Sequence, residues 1–140
     1  MPLEFDRAII GSEFDRTVMD PVTAEEIHDY AAACGEPSPS VPDGSGDLIA
    51  SPTFVVRLRG RRFMPASLAQ FGRAGLDAGK DIEFGAPIRA GDVLTAVSTV
   101  HDIYEKTGRS GTMSFIVLRT VITSQRDEQV AVIDQKMMFR

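Results

Sequence analysis

The side chains that could do acid–base chemistry are few, and the most suggestive one lies at the end of a helical pattern. Glu36 follows Gly35 and is the first residue of a proline-rich stretch. It could be a solvated acid in a loop, or a carboxylate that activates water. The two histidines are His28, in the helical pattern, and His101, within a strand pattern, and we expect both to be ordinary residues of those elements. Cys34 is the only cysteine, which excludes an internal disulfide and a cysteine-built zinc site.

A second cluster carries positive charge in a chain that is acidic overall. Arg57, Arg59, Arg61 and Arg62 lie close together, whereas the net charge is −5 and the isoelectric point is near 5.0. A guanidinium group matches phosphate in a bidentate fashion, so the cluster could hold the phosphates of coenzyme A or of a carrier-protein arm. The alternative is a solvated surface. The overall charge argues against nucleic acid as the main partner.

The first part of the chain predicts a short strand region followed by a capped helix. Residues 7–18 mix β-branched, aromatic and charged side chains and indicate one or two short strands. Thr23 and Glu26 have the spacing of a capping box, which predicts that a helix over residues 24–34 follows. Gly35 is a suitable residue to end that helix.

The middle of the chain divides into a loop and an ambiguous segment. Residues 36–47 hold three prolines and two glycines, which excludes a helix or a strand there. The stretch 36–53 therefore predicts a long loop, of the kind that often carries function. Residues 54–59 alternate like a strand, although their place in the chain favours a helix. Residues 63–76 have a loose helical pattern that a proline and a glycine interrupt.

The last third of the chain predicts an antiparallel meander. Residues 93–104, 113–124 and 130–139 are rich in Val, Ile, Thr and Phe, and the polar segments between them indicate hairpin turns. Alternate apolar residues of the last run, interrupted by Gln135, would face the core. A helix followed by such a meander predicts one α+β domain over residues 1–140, with the sheet curled around a helix.

The sequence carries no signal for export or for insertion into a membrane. No apolar run approaches the ~18 residues of a membrane helix. The first residues have neither a basic start nor an apolar core, so we expect no signal peptide. A cytoplasmic protein is therefore the expectation.

Three stretches together resemble N-terminal-type MaoC-like hydratases and dehydratases. They are Tyr-Ala-Ala-Ala-Cys-Gly-Glu-Pro-Ser-Pro at 30–39, Ala-Ser-Pro-Thr-Phe at 50–54, and Phe-Gly-Ala-Pro-Ile-Arg-Ala-Gly-Asp-Val-Leu at 84–94, which Val-His-Asp at 100–102 follows. The resemblance implies the hot-dog fold, in which an antiparallel β-sheet wraps around a central helix. The second stretch is similar to the family's entry into that helix.

The family's loop motif, Tyr-Ala-x-x-x-Gly-Asp-x-Asn-Pro-x-His-x-Asp, changes here at its acid–base pair. Glu36 takes the place of the aspartate and Val41 that of the histidine, while Asp43 matches the last position. In the family the carboxylate and the imidazole share one water molecule and add it across an enoyl thioester. Val41 can neither donate nor accept a proton, so the resemblance implies a degenerate pair in this chain.

The resemblance also implies where a substrate would bind. An acyl chain would lie in a tunnel lined by Phe54, Phe63 and Met64, and the pantetheine arm would leave past the arginine cluster. No metal is expected, and no cofactor beyond the coenzyme A or phosphopantetheine that forms part of the substrate. The substrate-binding residues implied in this way are Pro52, Thr53, Phe54, Arg57, Arg59 and Arg61.

Three functions fit these residues. The first is an acyl-thioester-binding subunit that is the non-catalytic partner of an active hot-dog subunit. The second is an enzyme in its own right, either an (R)-specific enoyl-CoA hydratase or 3-hydroxyacyl dehydratase using Glu36, or a hot-dog thioesterase. The third is a binding protein with no thioester ligand. The missing imidazole favours the first. The open edge of a single hot-dog sheet implies a homodimer, or a heterodimer with a catalytic MaoC-like subunit.

Overall fold

The antiparallel sheet forms the main body of the protein. The computed structural model describes residues 4–36, 48–71 and 75–140. Five strands pair antiparallel in the order β1-β3-β4-β5-β2, which confirms the sheet of the expected α+β fold. The strands are β1 Glu13–Val18, β2 Leu76–Phe84, β3 Thr95–Gly108, β4 Gly111–Thr123 and β5 Gln129–Phe139.

The predicted first helix is present and begins as the sequence indicates. Helix α1 spans Ala24–Ala33, with Cys34 as its C-cap. The Thr23 hydroxyl accepts from the Glu26 amide (3.1 Å), and the Glu26 carboxylate accepts from the Thr23 amide (2.9 Å), so the capping box is complete. Within the described ranges no helix is long and apolar enough to cross a membrane.

The three strands of the predicted meander are confirmed, and the hairpin between β3 and β4 is tighter than the sequence suggests. β3 and β4 continue towards each other until Gly108 pairs with Gly111, which leaves only Arg109 and Ser110 in the turn. The turn between β4 and β5, residues 124–128, overlaps the predicted polar segment 125–129 and contains Asp127 with a φ of 58°. The long paired strands give the sheet the area to cover a core.

The middle segment departs most from expectation. It holds two short 3-10 helices, Pro52–Arg57 and Ala66–Phe71, separated by an extended crossing, and its last residues belong to β2. The crossing is fixed to β1, because the Arg61 amide donates to the Asp15 carboxylate (3.0 Å) and to the Thr17 hydroxyl (3.2 Å). A continuous helix does not form in the described part of this segment, since the chain leaves the helical path to reach β1.

The inner face of the sheet, where buried side chains lie, carries two separate apolar clusters. The first cluster joins the sheet to α1 and to the Pro52–Arg57 helix through residues such as Ile27, Phe54 and Leu94. Each of these three side chains is 1% exposed or less. The second cluster consists of Leu68, Val100, Ile103, Ile116, Leu118, Met137 and Phe139.

Polar side chains separate the two clusters on three neighbouring strands. Ser98 on β3, Thr120 on β4 and Gln135 on β5 each stand two residues from a member of either cluster, and we call these three residues the polar band. Ser98 and Gln135 are buried, at 3% and 8% exposure. The interruption at Gln135 that the sequence shows is thus one part of a feature that crosses the sheet.

Candidate functional site

Glu36 is held in place at the end of α1. Its amide donates to the Ala31 carbonyl (2.9 Å) after the chain turns at Gly35, whose φ is +77°. Its carboxylate accepts a hydrogen bond from the Ser51 hydroxyl (2.7 Å). Ser51 is buried and immediately precedes the Pro52–Arg57 helix, whereas Glu36 is exposed. The carboxylate that the sequence analysis singled out is therefore positioned, and its partner is a hydroxyl group.

The structure supplies no imidazole to Glu36 from the residues it describes. Val41 and Asp43, the other two positions of the family motif, lie outside the described residues. His28 is exposed on α1. His101 is exposed on β3. Both histidines agree with the plain interpretation given to them from the sequence.

The predicted entry to the central helix is a structural junction between α1 and the Pro52–Arg57 helix. The Tyr30 hydroxyl donates to the Thr53 hydroxyl (2.9 Å), and the Tyr30 ring meets the Phe54 ring edge-on at 5.5 Å. The Arg57 guanidinium lies 4.8 Å above the Phe54 ring and 4.0 Å from the Glu26 carboxylate. Phe54 and Arg57 are thereby committed to packing, while Pro52 and Thr53 are exposed.

The other arginines of the cluster line a cavity on the inner face of the sheet. The cavity has a volume of about 640 Å³, and the crossing from Leu58 to Phe63 forms one wall, including Arg59, Arg61 and Arg62. Of the predicted tunnel residues, Phe63 lines this cavity, whereas Met64 packs against the second cluster. The opposite surface consists of Gly75, Asp77, Lys80, Ser98, Leu118, Thr120, Ile133, Gln135 and Met137.

The charges around this cavity are mainly positive. Three arginines and Lys80 face one carboxylate, that of Asp77. The Asp77 carboxylate accepts from the Gly79 amide (2.8 Å) and from the Gln135 side-chain amide (2.8 Å), and these bonds hold its pKa below its usual range. Asp77 is therefore an ionised acceptor within the sheet edge, and the three arginines and Lys80 are the groups that can meet an anionic ligand.

A second, smaller pocket lies beside Ser51. Its volume is about 260 Å³, and its walls are mostly apolar. Val55 faces this pocket, while its neighbour Val56 faces the larger cavity, so the Pro52–Arg57 helix stands between the two spaces. The two spaces share no lining residue. The pocket residues are Ile49, Ala50, Ser51, Pro52, Val55, Phe84, Gly85, Ala86, Pro87, Ile88 and Val130.

The Gly-Asp pair of the third family-like stretch has a structural part to play. Asp92 is 2% exposed and accepts from the Arg89 amide (2.8 Å), the Gln125 side chain (3.0 Å) and the Arg126 guanidinium (2.9 Å). Burial opposes its ionisation, yet the bonds from Arg126, Arg89 and Gln125 outweigh burial and lower its pKa. Asp92 thus ties the turn after Ile88 to the β4–β5 hairpin.

Sequence reasoning found the wall of the cavity but missed its opposite surface. Arg59, Arg61 and Arg62 stood out as members of the arginine cluster. Ser98 and Thr120 gave no separate signal, because single polar residues in strand patterns are common. The available signal was the break at Gln135 in an otherwise apolar face. In the described ranges no group of three or more potential metal ligands occurs.

The comparisons with known sequences cover most of the chain. The sequence profile of the FAS1-like family, dehydratase domain region, matches residues 8–133. A UPF0336 protein from Saccharopolyspora erythraea is 31% identical over 153 aligned residues, which cover 100% of this chain and 93% of that protein. The similarity therefore extends over nearly the full length of both sequences.

Two solved structures share the fold. A MaoC-like dehydratase from Rhodospirillum rubrum matches with a TM-score of 0.68 at 24% identity, covering 93% of this chain and 91% of that chain. A chain of the C-terminally truncated HadBC complex from Mycobacterium tuberculosis, a 3R-hydroxyacyl-ACP dehydratase, matches with a TM-score of 0.67 at 24% identity. That match covers 97% of this chain and 99% of the other. These matches confirm the hot-dog fold that the resemblance implied.

Proposed function

The chain belongs to the FAS1-like dehydratase family and folds as a MaoC-like hot-dog domain, and from this we propose that it binds acyl thioesters as the non-catalytic subunit of a hydratase or dehydratase. The thioester would be that of coenzyme A or of an acyl carrier protein. Chemistry would be supplied by a partner hot-dog subunit that has the intact aspartate–histidine pair. In this proposal this chain binds the substrate, and the partner subunit catalyses its conversion.

The observation that carries the proposal is the cationic wall of the larger cavity. Arg59, Arg61 and Arg62 line a space of about 640 Å³, a size typical of small-molecule sites. Guanidinium groups bind phosphate oxygens well, and coenzyme A and phosphopantetheine both carry phosphate. Apolar side chains such as Leu118 and Met137 in the same cavity suit an acyl chain.

The proposal that this chain does not catalyse the reaction alone depends on the residues at the acid–base pair. Val41 stands where the family has its histidine, and the Glu36 carboxylate pairs with the Ser51 hydroxyl. Neither His28 nor His101 is beside Glu36. Because each missing acid or base typically costs ~10²–10⁴ in rate, a chain with one carboxylate and no imidazole would hydrate thioesters poorly on its own.

The proposal that this chain pairs with another subunit depends on the edges of the sheet. β1 and β2 are the edge strands, and nearly all side chains of β2 are exposed. Leu76 and Phe84, at its two ends, are 54% and 52% exposed, which is unusual for large apolar residues on an edge that stays open. One structure of the same fold is the HadBC complex. We propose a heterodimer with a catalytic subunit, and a homodimer in its absence.

One observation favours an alternative, a single-carboxylate hydratase or thioesterase. The hydrogen bond from Ser51 orients the Glu36 carboxylate, and Ser51 also lines the apolar pocket of about 260 Å³. A positioned, solvent-accessible carboxylate beside an apolar pocket can activate water. The alternative differs from the main proposal in one measurable respect, which is turnover by the purified chain alone.

The cationic wall is tested by removing two of its charges. We expect R59A/R61A to bind octanoyl-CoA about tenfold more weakly than wild type at low salt, since each solvent-accessible ionic contact contributes up to about 1 kcal/mol. The difference should shrink at high salt, where charges are screened. Isothermal titration calorimetry measures both effects.

The matched control for that experiment is R7A/R109A. It removes the same charge from two exposed positions that do not line the cavity. Equal affinities of R59A/R61A and R7A/R109A would show that the arginine wall does not hold the ligand. Wild-type protein that binds no octanoyl-CoA and no octanoyl carrier protein would contradict the thioester proposal itself.

A further inference from the structure

The polar band is an unusual floor for a cavity that receives an acyl chain. Ser98, Thr120 and Gln135 lie side by side on β3, β4 and β5, and all three line the larger cavity. Apolar residues of the two clusters stand on either side of them along each strand. A plain hydrocarbon chain over this floor would cover polar groups without offering them a hydrogen bond, which is unfavourable.

The hydrogen bonds within the band leave at least one donor and one acceptor for a ligand. The Ser98 and Thr120 hydroxyls lie 2.9 Å apart, and since one donates to the other, the accepting hydroxyl keeps its own proton. The Gln135 amide nitrogen donates to the Asp77 carboxylate (2.8 Å) and to the carbonyls of Gly79 (3.3 Å) and Lys136 (3.1 Å). The group that Gln135 can still present is its amide oxygen, an acceptor.

The register of the sheet brings this donor and this acceptor close to each other. Ser98 pairs with Thr120 across β3 and β4, and Thr120 pairs with Ile133 across β4 and β5. Gln135 is two residues beyond Ile133, on the same face, so it is the diagonal neighbour of Thr120 at roughly 7–8 Å. A single ligand oxygen between them can accept from the hydroxyl pair, and if it carries a proton it can donate to Gln135.

The band is separate from the degenerate acid–base position. Glu36 bonds to Ser51, which lines the smaller pocket, and that pocket shares no residue with the larger cavity. The Pro52–Arg57 helix stands between them, with Val55 facing one space and Val56 the other. An oxygen over the polar band is therefore distinct from an oxygen that reacts near Glu36.

We propose that the larger cavity selects acyl groups that carry a hydroxyl in the body of the chain, remote from the thioester, and that the polar band recognises this hydroxyl. The inference rests on the proposed function, because it assumes that the cavity holds the acyl part of a thioester. A hydroxyl is the best match, because it is both an acceptor and a donor, whereas a carbonyl oxygen would use only the hydroxyl pair. Unsubstituted chains would bind more weakly.

The test compares decanoyl-CoA with its hydroxylated isomers. The hydroxyl is moved one carbon at a time from the fifth carbon to the last, because the structure fixes the chemistry of the contact and not its distance from the thioester. We expect at least one isomer to bind wild-type protein about tenfold more tightly than decanoyl-CoA, as two added hydrogen bonds would give. Titration calorimetry measures each affinity.

The variant S98A/T120V removes the hydroxyl pair with little change of shape. We expect the preference for the best isomer to fall to about twofold or less, and decanoyl-CoA to bind at least as well as before. The matched control is Thr99→Val, which removes a hydroxyl from the same strand at a position outside the cavity lining. Melting temperatures of both variants establish that they are folded, and T120V alone serves if the double variant is not.

The outcomes distinguish this inference from the function on which it rests. Wild-type protein that binds every isomer and decanoyl-CoA equally would overturn the inference and leave thioester binding intact. The same holds if the preference survives in S98A/T120V. Wild-type protein that binds none of the thioesters would overturn the proposed function, and this inference with it.

Discussion

The end of α1 and the cavity on the inner face of the sheet differ in the functional groups that they carry. At the end of α1 the sequence is family-like, and Glu36 is fixed by Ser51, yet valine replaces the histidine of the pair. Residues 57–79 lie outside the three family-like stretches noted in the sequence, but they supply Arg59 and Arg61 to a site-sized cavity. The recognised motifs thus cover the region where valine stands at the histidine position, and they do not cover the arginine side of the cavity.

The comparison shows that the two regions are separate in space, which is what the proposal of binding without catalysis requires. The Pro52–Arg57 helix separates the two regions, and their lining residues do not overlap. Each region also has its own anchor to the sheet. The turn beside α1 is held by Asp92, and the crossing beside the cavity is held by Asp15. Breaking one anchor at a time tests whether the regions are as independent as their geometry indicates.

The largest effect is expected at the anchor beside α1. Asp92→Ala removes the buried carboxylate that accepts from Arg126, Gln125 and the Arg89 amide, so we expect it to destabilise the fold by about 2–3 kcal/mol. Affinity of the folded variant for octanoyl-CoA should change less than twofold. Urea unfolding and calorimetry measure the two quantities. The control is Glu128→Ala, which removes the exposed partner of the same Arg126 guanidinium (3.2 Å) and should cost less than about 1 kcal/mol. Parallel loss of stability and affinity would contradict the independence of the two regions.

The same anchor gives stability a defined pH dependence. The pKa of Asp92 is lower in the folded protein than the ordinary value of about 3.9, so the folded state favours the ionised form. Its contribution is fully present above that ordinary value and is lost as the pH falls through the lowered folded pKa. The difference in unfolding free energy between wild type and Asp92→Asn should therefore narrow below about pH 4. A difference that stays constant down to the acid limit would show that the carboxylate charge is not what stabilises the turn.

A smaller effect is expected at the anchor beside the cavity. A Cβ at Gly60 would clash with Asp15 Oδ2 and lie 3.0 Å from Asp15 Cγ. The Asp15 carboxylate cannot yield easily because it accepts from the Arg61 amide and the Thr17 hydroxyl. We expect Gly60→Ala to cost about 1–2 kcal/mol and to weaken octanoyl-CoA binding several-fold by displacing the arginine wall. Gly108→Ala is the control, because a Cβ there has nothing within 4 Å. Undiminished affinity in Gly60→Ala would indicate that the crossing does not position the ligand-binding side chains.

Much of the frame could be predicted from local sequence. The Thr23–Glu26 capping box and the three apolar strand runs predicted α1 and the β3–β5 meander, because hydrogen-bonding partners three residues apart and period-two alternation act over short distances. β2 was harder to predict. It is an exposed edge strand that contains Asp77, Gly79, Lys80 and Asp81, so it lacks the buried face on which alternation depends.

The candidate site could be predicted only in part, for a reason of geometry. The arginines are neighbours in sequence, and their clustering was visible, but the structure divides them. Arg57 packs on Phe54, while Arg59 and Arg61 reach the cavity. The polar band comes together only through the register of three strands, so its members are more than a dozen residues apart in sequence. Sequence patterns report local contacts, whereas this floor is a product of strand pairing.

The most direct test of the central claim is to measure binding and turnover on one preparation of the purified chain. Crotonyl-CoA is titrated by calorimetry, and its hydration is followed in the same sample. The account predicts measurable binding with hydration barely above the uncatalysed background, since the imidazole of the acid–base pair is missing. Turnover at an ordinary enzymatic rate, on the order of 1–10³ per second, would contradict the non-catalytic account. If Glu36→Gln then abolished that rate, the single-carboxylate enzyme would be the correct function.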